Sequence, residues 1–520
     1  MPRRKPRDLF LDHHLIYKGT EIDSVVEDLW ELIVEQWKGK RIKDVESHMK
    51  SLKVLVLNLF NAYRTDVEMP VGIPRTTNYY TKSPLGATAT KNVLDMLIEL
   101  GYVKQVRKGV HKNWGSEAVG NPFVKTSVGA YKSTKKLHNY FGRLNLYSLK
   151  INLDSFKSIR VGNKESGNIE PEVNDTFMEM KQSLRKINKY YDSIHIDLFV
   201  TDEELTTIRR QMSHKEVREE WGETEDDMIL KDLNFRRKYL HRKFYDNSYQ
   251  LHGRFYGGYW ESIPSEWRPR IVINGKLTSE IDFTNMHFAM LYHEIGEKMT
   301  NQGDLYDLSP FLTDEEEFVY ESYPSGLPKV YKGWKGKPVE ELKVYRTQVK
   351  LIMNYMLNCK DDEEVKAVIK KYRKKHFNKC PEGFTWQSLI DFIKTVHSPI
   401  ADKFYSNQGI RLMYLDSLIM EKVILKGIEN DICILGVHDS CIAKHQHQHK
   451  VMTFMVEAYD EVIGKYGKTI KWDIFRLDHL QPLMELQDKD ITSYLNRLQE
   501  WNWHRQSYGD SSLPLQPPTA

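Results

Sequence analysis

Asp282 and Asp439 are the residues of this sequence whose surroundings ask most directly for chemistry. Asp282 stands in LTSEIDF (277–283), whose Ser279 to Phe283 portion has strand character, and TNMHFAMLY follows with Met286, Met290 and Leu291 at helical spacing. The pattern predicts a strand ending in a turn, with Thr284 capping the next helix. Asp439 interrupts ICILGVHDSCIAKHQ (432–446), an apolar run broken by His-Asp-Ser and then resumed, which predicts a β-hairpin carrying the acid in its turn. Neither acid has a Lys or Arg close by in sequence, and an acid between buried strands needs a cation or a donor. Two strand-end carboxylates suit a pair of Mg²⁺ ions about 3.5–4 Å apart, the arrangement that drives phosphoryl transfer. The carbonyl of Phe283 is then a further oxygen ligand. Taken alone, a strand-end Asp more often serves a turn. A third stretch, VYRTQVKLIMNYMLN (344–358), sets Arg346 and Lys350 four residues apart on one helix face, with Val349, Ile352, Met353 and Met356 on the other. Like charges at this spacing cost a few tenths of a kcal/mol, and a triphosphate between them turns that cost into binding. The plainer reading of that run alone is an exposed basic face.

The elements that must position these groups belong to a chain of 520 residues, long enough for two to four domains, with 40% hydrophobic and 28% charged residues. The net charge of +4 is small, but basic clusters at 2–7, 104–112 and 370–379 suit a polyanion, nucleic acid first among them. Four cysteines without ligand spacing indicate neither a zinc module nor a disulfide framework. No signal-peptide core and no apolar run of about 18 residues is present, so the expectation is a cytoplasmic protein of a bacterial or phage-infected cell, with no membrane partner.

Residues 22–37 and 51–63 read as scaffold helices. In 83–109, Val93, Leu94, Leu97 and Ile98 form a helix face, Gly101 a stop, and Tyr102 to Val106 an alternating strand. That succession resembles the recognition helix and wing of a winged helix-turn-helix domain, which makes Lys91, Lys104, Arg107, Lys108 and Lys112 candidate DNA contacts. A structural helix and hairpin is the competing reading. Residues 151–250 read as charged and helical, and the proline-rich end as disordered.

Together, the pieces of the second half resemble the family A DNA polymerases. Asp282-Phe283-Thr284-Asn285-Met286-His287 aligns without a gap on that family's Asp-Tyr-Ser-Gln-Ile-Glu, and Val437-His438-Asp439 on its Val-His-Asp. Gly253-Arg254, Ile263-Pro264 and Arg270 resemble its Thr-Gly-Arg and Asn-Ile-Pro stretch, and Gln408-Gly409 falls at a family-like distance before His438. The resemblance implies an α+β right hand of palm, fingers and thumb over about residues 250–490. It divides the chain into a basic arm (1–20), a mainly helical winged-helix-like domain (21–150), a helical thumb or connector (151–250), palm (251–300), fingers (301–400), palm again (401–505) and a disordered tail (506–520). By the same resemblance Asp282, Phe283 and Asp439 hold two Mg²⁺ ions, with Mn²⁺ as a substitute. Arg346 and Lys350 meet the triphosphate, Lys350 also serving as general acid, and His287 faces the sugar. Arg254, Gln408 and His438 follow the primer-template. The implied partners are a DNA primer-template, dNTPs with rNTPs as the alternative, and a replication helicase or primase.

The departures bear on substrate. His287 replaces a Glu that helps exclude a ribose 2′-hydroxyl, Asn354 and Asn358-Cys359 replace an aromatic and a Tyr-Gly, and Tyr355 is displaced by one. His-Asp-Ser is a form shared with phage-type single-subunit RNA polymerases. An RNA polymerase or primase-polymerase is therefore one alternative, and a non-catalytic replication initiator another. Asp66-Val67-Glu68 is too isolated to mark a proofreading exonuclease, and phage, plasmid or mobile-element replication is the expected setting. His445, His447 and His449 read as an exposed continuation after the hairpin. Glu280 reads as an auxiliary acid or the partner of a basic residue, and Gly257-Gly258 as a turn.

Overall fold

Alternation along Lys276–Phe283 builds the central sheet: Ile281 and Phe283 are buried while Glu280 and Asp282 face out of the core between them. The computed structural model describes residues 8–37, 42, 44–81, 83–109, 128–163, 167–214, 233–297, 305–306, 308, 338–466, 472–476, 490–510 and 512–518. Within them the sheet runs Ile434–Val437, Ser440–Lys444, Lys276–Phe283, Ile271–Ile273, Ile196–Leu198, and Trp472–Arg476 also pairs with Lys276–Phe283. Every pairing in this sheet is antiparallel. Asp175–Asp192, Gln408–Glu429 and Gln448–Val462 are helices whose apolar faces join it in one core reaching from Ile159 to Tyr459. The fold is α+β. Among the described residues no helix is long and apolar enough to cross a membrane.

A separate core, Leu11 to Leu149, holds the N-terminal unit. Helices Glu21–Gln36, Val45–Thr65 and Ala87–Glu99 pack against a sheet ordered Leu9–Phe10, Val71–Ile73, Gly129–Ser133, Val103–Arg107. The expected helix, stop and strand are present, but in Val103–Arg107 only Val103 is buried and Val106 is 47% exposed, so its alternation does not mark a half-buried strand. Lys91, Lys104 and Lys108 are exposed there. Arg107 is not displayed: its guanidinium is spent on the carboxylate of Asp8 and on the Val128 carbonyl. Lys112 lies outside the described residues.

Several expected boundaries move. Leu9–Phe10 and Leu15–Tyr17 of the supposed basic arm are strands, the second pairing with Leu149–Ile151. The 151–250 stretch is not simply helical: strands Ile159–Asn163, Gly167–Ile169 and His241–Tyr245 share a sheet with His252–Tyr256, and Ile196–Leu198 belongs to the central sheet. These runs are three to five residues long and only Ile159–Asn163 holds two β-branched residues, too little periodicity to announce strands. The tail, expected to be disordered, folds back: Leu515 exchanges two backbone hydrogen bonds, 2.8 and 2.9 Å, with the Asn502 side chain of the Thr492–Ser507 helix. That helix also binds the N-terminal unit, Glu500 receiving both Arg64 nitrogens at 2.9 and 2.7 Å.

Gly257 permits a turn, as expected: its φ is 124°, and a Cβ there would meet the Tyr239 carbonyl oxygen at 2.2 Å. The oxygen is backbone and cannot swing away, so Gly257→Ala is expected to destabilise the protein by more than about 2 kcal/mol. A urea melt checks this; an unchanged midpoint contradicts it.

Candidate active site

Register brings the two acids together. Val437 and Ser440 are the closing pair of the Ile434–Val437 and Ser440–Lys444 hairpin, leaving His438 and Asp439 as a two-residue turn. His438 has φ 59°, the positive value that such turns require at their first position. Asp282 is the register partner of Ser440, so Asp439 arrives beside the end of the Asp282 strand. On its other edge Asp282 is in register with Asp473, an acid the sequence reading did not single out. Both Asp282 and Asp439 line one cavity of about 280 Å³, together with Arg254, Phe283, His287, Arg346, Lys350 and His438. Residues up to 185 positions apart in sequence are thus gathered in one place by a hairpin, a strand and a helix.

The helix is Val339–Met356, whose Val349, Ile352, Met353 and Met356 are fully buried, which turns Arg346 and Lys350 to the cavity. Both cations lie over the ring of Tyr306, at 5.5 and 5.7 Å from its centroid. Sequence reasoning missed Tyr306. The negative face of its ring eases the repulsion between two like charges one turn apart. Asn354 and Asn358 also line the cavity, whereas Tyr355 packs against Phe377 at 6.2 Å and is absent from the lining. Gly409 lets the next helix approach, since a Cβ there would stand 2.2 Å from Asn358 Oδ1.

Two of the lining residues, Arg254 and His287, are held by a residue that no motif announced. Asp416, 1% exposed on the Gln408–Glu429 helix, receives Arg254 Nε at 3.2 and 3.0 Å, Arg254 Nη2, and His287 Nε2 at 2.8 Å. Burial works against its charge, but Arg254 and then His287 outweigh burial and hold the carboxyl below the usual aspartate range. Ser417, the next residue, and Glu421, one turn beyond it, bind the buried Arg242, whose Nε donates to the Gly253 carbonyl at 2.7 Å. The Arg254 strand is thus tied to this helix at two successive residues. The helical spacing of Gly409, Met413, Asp416 and Ser417 was the available signal.

Other expectations divide. Thr284 is not the cap: Asn285, at φ 57°, is the N-cap of Met286–Glu294, because the chain turns through the left-handed region that Asn tolerates better than Thr. Glu280 pairs with Arg268 at 3.0 Å and accepts the Ser440 hydroxyl at 2.7 Å, so it braces the strand pair. Gln408 lies at the start of its helix, bonded by Arg411 at 2.7 Å, and is not in the cavity lining. Lys91, Arg107 and Lys108 belong to the N-terminal unit and are not in the cavity lining. His445 Nδ1 lies 2.8 Å from Ser279 Oγ.

The donors suit a hard cation. Burial and then Arg254 push the His438 imidazole down to about 3, so it is neutral at ordinary pH, and its Nδ1 is buried with no hydrogen-bond partner among the described residues. Carboxylate oxygens and a strand-end carbonyl are ligands for Mg²⁺, which keeps several sites for water and phosphate oxygens instead of filling a protein cage. Among the described residues no group of three or more His, Cys, Asp and Glu side chains gathers as such a cage, and two acids meet the requirement of a cation shared with a phosphate. The chain matches no protein-family model and no curated protein.

Proposed function

We propose that this chain is a template-directed nucleotidyltransferase, a DNA polymerase of the right-hand type whose palm is the central sheet and whose fingers include the Val339–Met356 helix. The observation that carries the reading is the convergence of Asp282, Asp439, Arg346 and Lys350 on one cavity with Arg254 and His438. Asp282, Asp439 and the Phe283 main chain would hold divalent cations, which supply charge neutralisation at phosphate and activation of a hydroxyl. Arg346 and Lys350 take the triphosphate, and Lys350 also serves as general acid toward the departing pyrophosphate. Arg254 and His438 border the primer end. Exposed Lys91, Lys104 and Lys108 of the N-terminal unit are cations for duplex phosphates.

Primer extension by the purified chain, with dNTPs or rNTPs and with or without a primer, tests the reading. Extension of the primer under template control is expected; no product in any arm, with DNA still bound, overturns it. Arg346→Ala and Lys350→Ala are each expected to raise KM for the nucleotide by roughly ten- to a hundredfold, the scale of one charge-assisted phosphate contact. Steady-state kinetics reads this, and an unchanged KM in both removes the fingers assignment.

A further inference from the structure

The Arg254, His287 and Asp416 cluster has a polarity that follows from its bonding. Asp416 is ionised, so it can only accept. The proton between His287 Nε2 and Asp416 Oδ2, 2.8 Å apart, therefore belongs to the imidazole. Arg254 Nη2, 3.3 Å from the same nitrogen, is then a second donor brought beside it by their shared acceptor. In a neutral ring with its proton on Nε2, Nδ1 is an acceptor. Neither His287 Nδ1 nor Arg254 Nη1 makes a hydrogen bond among the described residues, and both side chains line the cavity. An acceptor and a donor on two residues that line the same cavity complement a hydroxyl, which gives one proton and takes another.

We propose that Asp416 is a specificity-determining positioning residue, fixing His287 Nδ1 as an acceptor beside the Arg254 Nη1 donor so that the pair holds a sugar hydroxyl of the incoming nucleotide. The inference rests on the nucleotidyl-transfer reading and adds what the sequence left open, namely how residue 287 meets the sugar. The chemistry is shared by a 2′- and a 3′-hydroxyl. Asn at 416 keeps the shape but changes the polarity, because its amide can donate to Nε2 and leave the proton on Nδ1, turning the acceptor into a donor.

Equilibrium binding of ATP, dATP and 2′,3′-dideoxyATP tests this, with Mg²⁺ and a primer-template whose dideoxy end prevents reaction. ATP against dATP reads the 2′-hydroxyl, and dATP against the dideoxy analogue reads the 3′-hydroxyl. Wild type is expected to favour the hydroxyl-bearing member of at least one pair by about tenfold, the scale of one hydrogen bond to a charged group. Asp416→Asn is expected to bring that ratio near one, and Asp416→Glu to restore part of it. A ratio unchanged in Asp416→Asn overturns the proposal, as does nucleotide binding by wild type without preference in either pair. No nucleotide binding at all overturns the transferase reading with it. Spectra of ¹⁵N-histidine protein, assigned against His287→Ala, settle the tautomer in wild type even where Asp416→Asn does not fold. An unprotonated Nδ1 is expected, and a protonated one overturns the proposal.

Discussion

Asp282→Ala and Asp439→Ala are each expected to reduce nucleotide incorporation by about a thousandfold or more while leaving folding and DNA affinity close to wild type. The size follows from what the acids are asked to do. Holding cations that neutralise phosphate and activate a hydroxyl is worth several kcal/mol of barrier, and each 1.36 kcal/mol is tenfold in rate. The preserved fold follows from where they sit: one at a strand end, the other in a two-residue turn, neither in the apolar core. Single-turnover extension and a urea melt on the same samples check both halves. Loss of fold with activity would make the acids structural, and retained activity would move the cation site elsewhere.

The largest loss of stability is expected at the edge of the central sheet away from the hairpin. Arg497 reaches from the Thr492–Ser507 helix to Asp197 of the Ile196–Leu198 strand, with Nε at 3.1 and 2.9 Å and Nη2 at 2.8 Å from its carboxylate. Asp197 is fully buried and Arg497 nearly so. Burial works against the Asp197 charge, and Arg497 outweighs it, holding the carboxyl below its ordinary 3.8. The pair's contribution is therefore full above that ordinary value and fades as the pH falls through the lower folded one. Arg497→Ala leaves a buried carboxylate without its cation, which costs about 3–5 kcal/mol. A urea melt at pH 7 reads this, and a midpoint near wild type would show that water or a neighbour takes over. The helix also carries Glu500, the acceptor for Arg64 of the N-terminal unit, so its loosening reaches both cores.

What the sequence made legible followed from local pattern. Asp282 at a strand end, the His438-Asp439 turn, and Arg346 with Lys350 on one helix face all rest on periodicities of two and of 3.6, and the backbone keeps them. Their arrival in one cavity was an expectation from motif order. Asp416 was invisible because its role is defined by two side chains 162 and 129 residues away, and a lone Asp inside an amphipathic helix looks like a solvated one. Tyr306 was invisible for a similar reason, its partners lying on another element. Arg107 misled because a basic strand suggests phosphate contacts, while Asp8, outside the stretch considered, neutralises it. Thr284 misled because cap preference by residue type ignores the left-handed turn that put Asn285 in the cap position.

Incorporation of one nucleotide opposite one template base is the reaction that a template-directed transferase alone performs. A labelled primer is annealed to four templates that differ only in the first unpaired base, and each is offered the four nucleotides singly with Mg²⁺. One-residue extension by the complementary nucleotide is expected on each template, none with Asp282→Ala or Asp439→Ala, and none after chelation. Wild-type protein that binds these duplexes and extends none of them, with either deoxy- or ribonucleotides, would contradict it.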